Sequence, residues 1–466
     1  MLPESLAFAS VRELGDGLRA GKFTAVQLAD FFLDRLKQIG PKYNALVTLT
    51  PDLARRQAIK ADEELAAGKD RGPLHGIPYG AKDLLDTKGI PTTWGAAANR
   101  NRIPNHDATV IAKLREAGAV LVAKLAMVEC AGGLGYRQAN ASFTGPALNP
   151  WNKTRWAGGS SAGSGAAVAA GLVPFAIGSE TWGSITAPSA YCGITGLRPT
   201  YGRVSRTGAM ALSWTMDKLG PMAHSAEDCG LILNAIAGPD PKDATSLANS
   251  YRFPPPEPIR PPFRFAVVKD VEEGLQKEVA KNYLASLKLL RELGTIEEID
   301  LPEYPYNEVA GLVISCEMAS AFEELLESKA IWEMTAEEDR WGIFGPQAIP
   351  AVDYLRAMRV RWLIQREMDE LFTKYNALVT PTEETVAPPI DRPFSSYGRD
   401  YHNCEASAAG NIAGLPSISL PNGFGESHLP TALNLLGRAF EENRLIAMAE
   451  QLQVKTDWHR RVPSME

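Results

Sequence analysis

Residues 157–190 read AGGSSAGSGAAVAAGLVPFAIGSETWGSITAPSA. This stretch lies inside a third of the chain, Gly145 to Gly220, that is rich in Gly, Ser and Thr. Its segment from Ala162 to Ile177 is the most apolar run in the sequence, yet it holds three glycines, a serine and a proline. A membrane span needs roughly 20 consecutive apolar residues, so this run is too short and too small-residued to cross a bilayer. Small side chains at this density predict a closely packed buried helix beside a functional loop. A phosphate-cradling loop would be followed by GK[ST], and none follows here. Residues Gly159 to Gly163 also fit GxSxG, the turn that presents a nucleophilic serine in α/β-hydrolases. That reading makes Ser161 the nucleophile and needs a later acid and histidine. His224, His402, His428 and His459 follow, none in a convincing catalytic context.

Working outward, the N-terminal third reads as helices with defined ends. Ser10 with Glu13, and Thr24 with Gln27, have the capping-box spacing. After Thr24 the apolar residues Leu28, Phe32, Leu36 and Ile39 recur at helical spacing until Gly40. Thr50-Pro51 starts a third helix that Gly68 stops, and Asp107 is expected to cap a fourth ending at Gly118. Val120, Leu121 and Val122 then read as a buried strand. This alternation argues for an α/β fold. Further on, Ser225 to Asp228 is another capping-box pattern. Pro254 to Pro262, PPPEPIRPP, reads as a linker. Phe265, Val267 and Val268 read as a strand, residues 275–375 as charged helix, Ala377 to Val379 as a short strand, and Glu441 to Gln453 as an amphipathic helix.

The bulk numbers set outer limits. With 466 residues, 45% hydrophobic and 22% charged, the composition is that of an ordinary globular chain able to bury a large core. The formal net charge of −7 argues against nonspecific nucleic-acid binding, which needs a basic footprint. Cys130, Cys192, Cys229, Cys316 and Cys404 show no CxxC spacing, which argues against both a disulfide scaffold and a zinc site. No metal and no cofactor are expected. The N-terminus lacks the basic start and apolar run of a signal peptide, so a cytoplasmic location with reduced thiols is expected, without membrane association.

Three stretches carry chemistry: HGIPYGAKD (75–83), AGGSSAGSG (157–165) and GSETWGSITAPSA (178–190). Together they resemble the amidase signature family. GIPxxxKD places Lys82 and GGSSxGS places Ser160. The third pattern ends at Ser184, 24 residues after Ser160, which is the family's spacing between its two serines. The likeness extends through YNALVT (43–48), DTKGIPTTWG (86–95), LGPM (219–222), NIAGLP (411–416) and LLGR (435–438). It implies an α/β fold with a mixed central β-sheet flanked by helices. It further implies one domain over 1–466, with N-terminal helices over about 1–68 and a variable substrate-pocket region over about 310–400.

The chemistry agrees with the resemblance. Amide hydrolysis needs an activated nucleophile, an oxyanion site and an acid for the departing nitrogen. A serine hydroxyl is a weak nucleophile until a base takes its proton, and burial lowers a lysine's pKa towards that role. The resemblance implies Ser184 as nucleophile, Ser160 as proton relay with a cis peptide bond before it, and Lys82 as base. It implies backbone oxyanion donors from Thr181, Trp182, Gly183 and Ser184. It also implies an acyl pocket lined by Ala131, Gly132 and Gly133, with Trp182 as a further substrate contact. The chain departs from the common family form DTGGS at two places: Glu180 stands for Asp and Trp182 for Gly. Thr186 stands where arginine is frequent. Ser161 is expected to orient the Lys82 and Ser160 network. Cys192 reads as core packing, His75 as a structural hydrogen bonder, and Asp217 equally as a loop support or as one half of a structural salt bridge. Trp332 and Trp341 read as core or substrate wall.

The function expected from this is hydrolysis of a carboxylic amide, a C–N bond other than a peptide bond, through an acyl-enzyme on Ser184. One alternative is cleavage of a carbamate or urea-like bond on the same triad. Another is the A subunit of a tRNA-dependent amidotransferase, which shares the motifs and releases ammonia from glutamine or asparagine for a partner subunit. The ETWGSIT variant counts against the latter, because such subunits usually keep the glycine and the arginine. The expected partner is a small-molecule amide or carbamate, with no nucleic acid and no membrane. The amphipathic N-terminal helices suit a homodimer, and packing within the chain explains them equally well.

Overall fold

A computed structural model describes residues 2–397 and 405–464, so Cys404 and His402 lie outside the described residues. Helix α1 (Val11–Arg19) opens with the reciprocal capping expected: Glu13 N donates to Ser10 Oγ at 3.1 Å, and Ser10 N to the Glu13 carboxylate at 2.8 Å. Thr24 and Gln27 repeat this at α2 (Ala25–Gln38). That helix turns Leu28, Phe32 and Leu36 wholly inward, each burial being favourable by about 1.5–3 kcal/mol. Strand β1 (Leu46–Leu49) and helix α3 (Pro51–Ala66) follow. Thr50 leaves that helix uncapped; its hydroxyl instead donates to the Leu121 carbonyl at 2.7 Å, tying the helix start to the sheet.

Strand β2 (Pro78–Lys82), helix α4 (Thr109–Glu116) and strand β3 (Val120–Leu125) complete the first third. The Asp107 cap does not form. Ala108 precedes the helix, and the Asp107 carboxylate accepts from Lys88 N at 2.8 Å, where it orders the preceding loop. Strands β4 (Leu148–Asn149) and β5 (Asn152–Trp156) make a separate small hairpin. The apolar run of 162–177 divides into the wholly buried helix α5 (Ala162–Ala169) and the start of β6 (Phe175–Glu180). Then come α6 (Thr186–Cys192), β7 (Thr195–Arg198), β8 (Lys218–Ala223) and α7 (Ala226–Ile236). Only half of the capping box at Ser225 is made. Ser225 accepts from Asp228 N, but the Asp228 carboxylate accepts from Val11 N at 3.0 Å, joining α7 to α1.

Past the proline-rich segment lie β9 (Phe263–Val268), α8 (Lys277–Arg291), β10 (Gly294–Ile299), α9 (Tyr306–Ala321), α10 (Glu323–Glu327) and α11 (Ala351–Lys374). The chain closes with β11 (Ala377–Pro381), α12 (Glu405–Ala413), β12 (Ser417–Phe424), β13 (Pro430–Leu436) and α13 (Glu442–Lys455). Strand β10 interrupts the stretch expected to be helical. Its sequence GTIEEI is charged because it is the outermost strand, and glutamates on an edge deter pairing with another chain.

Among the described residues, eleven strands form one sheet in the order β1-β3-β2-β6-β8-β7-β12-β13-β11-β9-β10. The β3-β2-β6 group and the β11-β9-β10 group are parallel and the other pairings antiparallel, so the sheet is mixed, with helices packed against it, as expected. Strands before and after Pro254–Pro262 belong to this same sheet. Strands β2 and β6 run parallel as neighbours, Ala81 opposite Ile177, so their C-terminal ends emerge side by side. Lys82 stands at one end and the turn 181–185 at the other.

Candidate active site

Lys82 is the last residue of β2 and is wholly buried. Its Nζ lies 2.7 Å from Ser160 Oγ and 2.9 Å from Ser179 Oγ. Burial lowers its pKa to about 7, against the opposing pull of Asp217 and Glu180. Asp83, the next residue, is no surface ion-pair partner. It is buried with its carboxylate 3.1 Å from the buried Lys124 Nζ, and it accepts from Thr93 N and Thr93 Oγ1. Consecutive side chains on a strand point to opposite faces; the KD pair therefore splits, with Asp83 locking the strand end and leaving the amine of Lys82 to the serines.

Ser160 follows a cis peptide bond from Gly159 and precedes α5. Ser161 N donates to the Ser184 carbonyl at 3.3 Å, and Ser161 Oγ donates to the Ser179 carbonyl at 3.2 Å. The two serine motifs are thus stitched together through Ser161, as expected of an orienting residue. Gly163 permits the close approach: a Cβ there would lie 2.4 Å from Ala126 N. Gly183 takes φ of +83°, a conformation that side chains other than glycine's disfavour, and it sets Ser184 at the head of α6. Among the described residues, the N–H groups of Trp182, Gly183 and Ser184 donate to no chain atom, which leaves them available to an incoming oxygen.

Glu180 shows what its substitution for aspartate does. One carboxylate oxygen accepts from Ile185 N at 2.9 Å, Thr186 N at 3.0 Å and the Thr186 hydroxyl; the other takes Arg198 Nη1 at 2.7 Å. The loop 181–185 is closed around this wholly buried group. Burial would raise the Glu180 pKa, but Arg198 and Lys218 outweigh it and hold it at about 2. Thr186 spends its hydroxyl on Glu180, so no cation occupies the place where arginine is frequent. Glu180→Gln leaves the Arg198 guanidinium buried without its counter-charge, and a loss of about 3–5 kcal/mol in unfolding free energy is expected by urea denaturation. The Glu180 contribution is present above the usual glutamate pKa and is lost only as pH falls through about 2. Unchanged stability in the variant would show that the pair does not hold the loop.

Ser184 opens onto a cavity of about 590 Å³ whose lining includes Ala131, Gly132, Gly133, Thr181, Trp182 and Gly183. All the residues expected to contact substrate or oxyanion therefore meet at one cavity, and Lys82, Ser160 and Ser179 lie behind it. Cys130 and Ala131 both take left-handed backbone, φ +48° and +55°, where the chain turns to form the wall. That strained turn is held because Cys130 N donates to Trp94 O at 2.8 Å, while the buried Glu129 carboxylate accepts from Thr335 N and Ala336 N. Trp182 is half-buried and packs against the apolar cluster that includes Met216 and Val313 while also lining the cavity. Asp217 accepts from the Thr181 hydroxyl at 2.5 Å and from Leu212 and Ser213 N, supporting the loop as expected. His75 accepts from Arg71 N, and Cys192 is buried. Trp332 and Trp341 fit neither expectation: they are 44% and 60% exposed, packed edge to face on each other, and away from this cavity.

Sequence reasoning did not find Ser179, Arg198 or Lys218. Ser179 was legible only through the alternation of β6; Arg198 and Lys218 reach the loop only because β7 and β8 take their places beside β6 in the sheet. Among the described residues, no group of three or more His, Cys, Asp or Glu side chains could hold a metal ion. No helix of the described residues is long and apolar enough to cross a membrane.

The family described as Amidase matches residues 27–446. The A subunit of glutamyl-tRNA(Gln) amidotransferase from Carboxydothermus hydrogenoformans is 38% identical over 493 residues, covering 99% of this chain and 100% of that protein. The solved A subunit of glutamyl-tRNA(Gln) amidotransferase from Thermotoga maritima superposes with a TM-score of 0.82 at 27% identity, covering 100% of both chains. The peptide amidase of Stenotrophomonas maltophilia gives 0.84 at 28% identity, again over 100% of both. These relatives overturn the expected partners, a small molecule with no nucleic acid and a homodimer, since end-to-end relatives are named as one subunit of an enzyme for glutamyl-tRNA(Gln). Net charge misled because it belongs to one chain; in an enzyme of several subunits the basic footprint for RNA can lie on another.

Proposed function

The chain belongs to the amidase signature family, the amidases that hydrolyse C–N bonds other than peptide bonds, and from that membership we propose that it is the ammonia-releasing A subunit of a tRNA-dependent amidotransferase. The observation that carries this reading is end-to-end relatedness to such subunits at 38% identity. In this proposal Ser184 Oγ attacks the side-chain amide of glutamine, passing its proton to Ser160 as Ser160 passes its own to Lys82. The N–H groups of Thr181, Trp182, Gly183 and Ser184 hold the oxyanion. Lys82 returns the proton through Ser160 to the departing nitrogen, ammonia leaves, and water releases glutamate from Ser184. A partner subunit receives the ammonia. The chain acts as one domain over 1–466, with 310–400 shaping the outer pocket, in the cytoplasm, where its thiols stay reduced. Ammonia release from L-glutamine, and co-isolation of a second subunit with the tagged chain, are the expected results. Turnover of simple amides without glutaminase activity or a co-isolated subunit would overturn this reading.

A second reading is favoured by Trp182, which lines the cavity beside Ser184 where the common family form has glycine. In it the chain is a free-standing hydrolase of amides, or of carbamates or urea-like bonds, since these need the same nucleophile and oxyanion donors. Trp182→Gly is expected to raise kcat/KM for bulky acyl groups relative to small ones by about tenfold, the scale of a pocket contact worth 1–3 kcal/mol. The check is a panel of amides and carbamates of graded size. Uniform slowing with the order unchanged would assign Trp182 to packing alone.

A further inference from the structure

Behind the oxyanion loop lies a further buried lysine that the chemistry above does not use. Lys218 begins β8 and pairs across the antiparallel ladder with Glu180. Its Nζ donates to the Thr181 carbonyl at 3.1 Å and to Asn411 Oδ1 at 2.9 Å. Asn411 is oriented in turn by donating Nδ2 to the Ser407 carbonyl at 3.0 Å, and Ser407 lines the same cavity as Ser184. The neighbouring Asp217 takes the Thr181 hydroxyl. Thr181 is therefore gripped at its side chain by one residue and at its carbonyl by the next.

We propose that Lys218 is a positioning residue for the oxyanion site, acting through the Thr181–Trp182 peptide. The peptide unit is planar and trans, so its C=O and N–H point in opposite directions. Lys218 on the Thr181 oxygen therefore turns the Trp182 N–H away from the sheet interior, on the side of the loop where Trp182 and Gly183 line the cavity. A donor on the carbonyl also polarises the peptide and strengthens its N–H as a donor. An apolar side chain of the same length would fill the space yet leave the Thr181 oxygen buried and unpaired, and the peptide would be free to rotate. Burial, and then the nearby Arg198 guanidinium, push the Lys218 pKa well below the ordinary lysine value against the opposing pull of Glu180 and Asp217, and the amine keeps N–H groups to donate whether or not it is charged.

The inference rests on Ser184 being the nucleophile, and the test separates the two. The probe is a fluorophosphonate, whose phosphoryl oxygen gains negative charge as a serine attacks and so reads the donors without any natural substrate. The rate constant of labelling is measured together with its end-point, which counts folded sites, and with the melting temperature. Lys218→Met is expected to label at least about tenfold more slowly than the wild type, with a full end-point, given that losing one direct donor costs 10²–10³. Lys218→Gln retains a donor and is expected to recover most of the rate. Wild-type labelling by Lys218→Met, or a lower melting temperature with an unchanged rate constant, would overturn the inference alone. Equal slowing of the Met and Gln variants would also overturn it. A wild type that does not label at Ser184 would overturn the nucleophile and this inference together.

Discussion

Ser184→Ala is expected to leave a folded chain whose amide hydrolysis falls by about four orders of magnitude or more, the scale seen when a serine nucleophile is removed. The side chain is small and 8% exposed, and the loop that holds it is fixed by backbone groups and by Glu180, none of which the substitution removes. Circular dichroism and the melting temperature should be unchanged. Intact-mass analysis should find one fluorophosphonate adduct on the wild type, mapped to Ser184, and none on the variant. Labelling at Ser160 or Ser161 instead would reassign the nucleophile, and at Ser161 would revive the GxSxG reading.

Lys82→Met should cost about 10³-fold or more for an amide and markedly less for a matched ester. In the proposed mechanism the lysine both draws the proton from the serines and returns one to the leaving nitrogen, and an alkoxide departs with less help than an amine. Equal losses would mean that the lysine serves only to hold Ser160 and Ser179. The pH profile supplies a second readout. Burial holds the Lys82 pKa at about 7, so wild-type activity should rise as pH increases through 7 and the amine becomes a free base. That step should vanish from the residual activity of the variant. Stability moves with the same sign. The folded state binds fewer protons than the unfolded one between about 7 and the ordinary lysine value of 10.5, so wild-type stability rises with pH across that window. In Lys82→Met this slope should be lost.

Much of the N-terminal third could be read locally. Ser10 with Glu13 and Thr24 with Gln27 make their capping boxes because both members sit within one helical turn and need nothing from the rest of the chain. Asp107 and Asp228 carry the same local signal and still point elsewhere, to Lys88 N and Val11 N. A carboxylate at a helix start takes whichever donor the fold brings closest, and a distant backbone N–H leaves no trace in the neighbouring sequence. Strand β10 was missed for a related reason. Its glutamates suit an exposed edge, and only the topology says where the edge is.

The sequence by itself determined the family and the mixed α/β class, and it pointed to Lys82, Ser160 and Ser184 as candidates, because motif order and spacing are properties of the chain alone. Tertiary structure decided what surrounds those residues and brings them together. It sends Asp83 to Lys124, closes Glu180 onto Arg198, and sets Ser179 beside the Lys82 amine. It also places Lys218 behind the Thr181 carbonyl. Each of these depends on which strands become neighbours and on how completely they exclude water. Desolvation moves a lysine from an ordinary cation to a base near neutrality, and it is a property of enclosure that no local stretch of residues encodes.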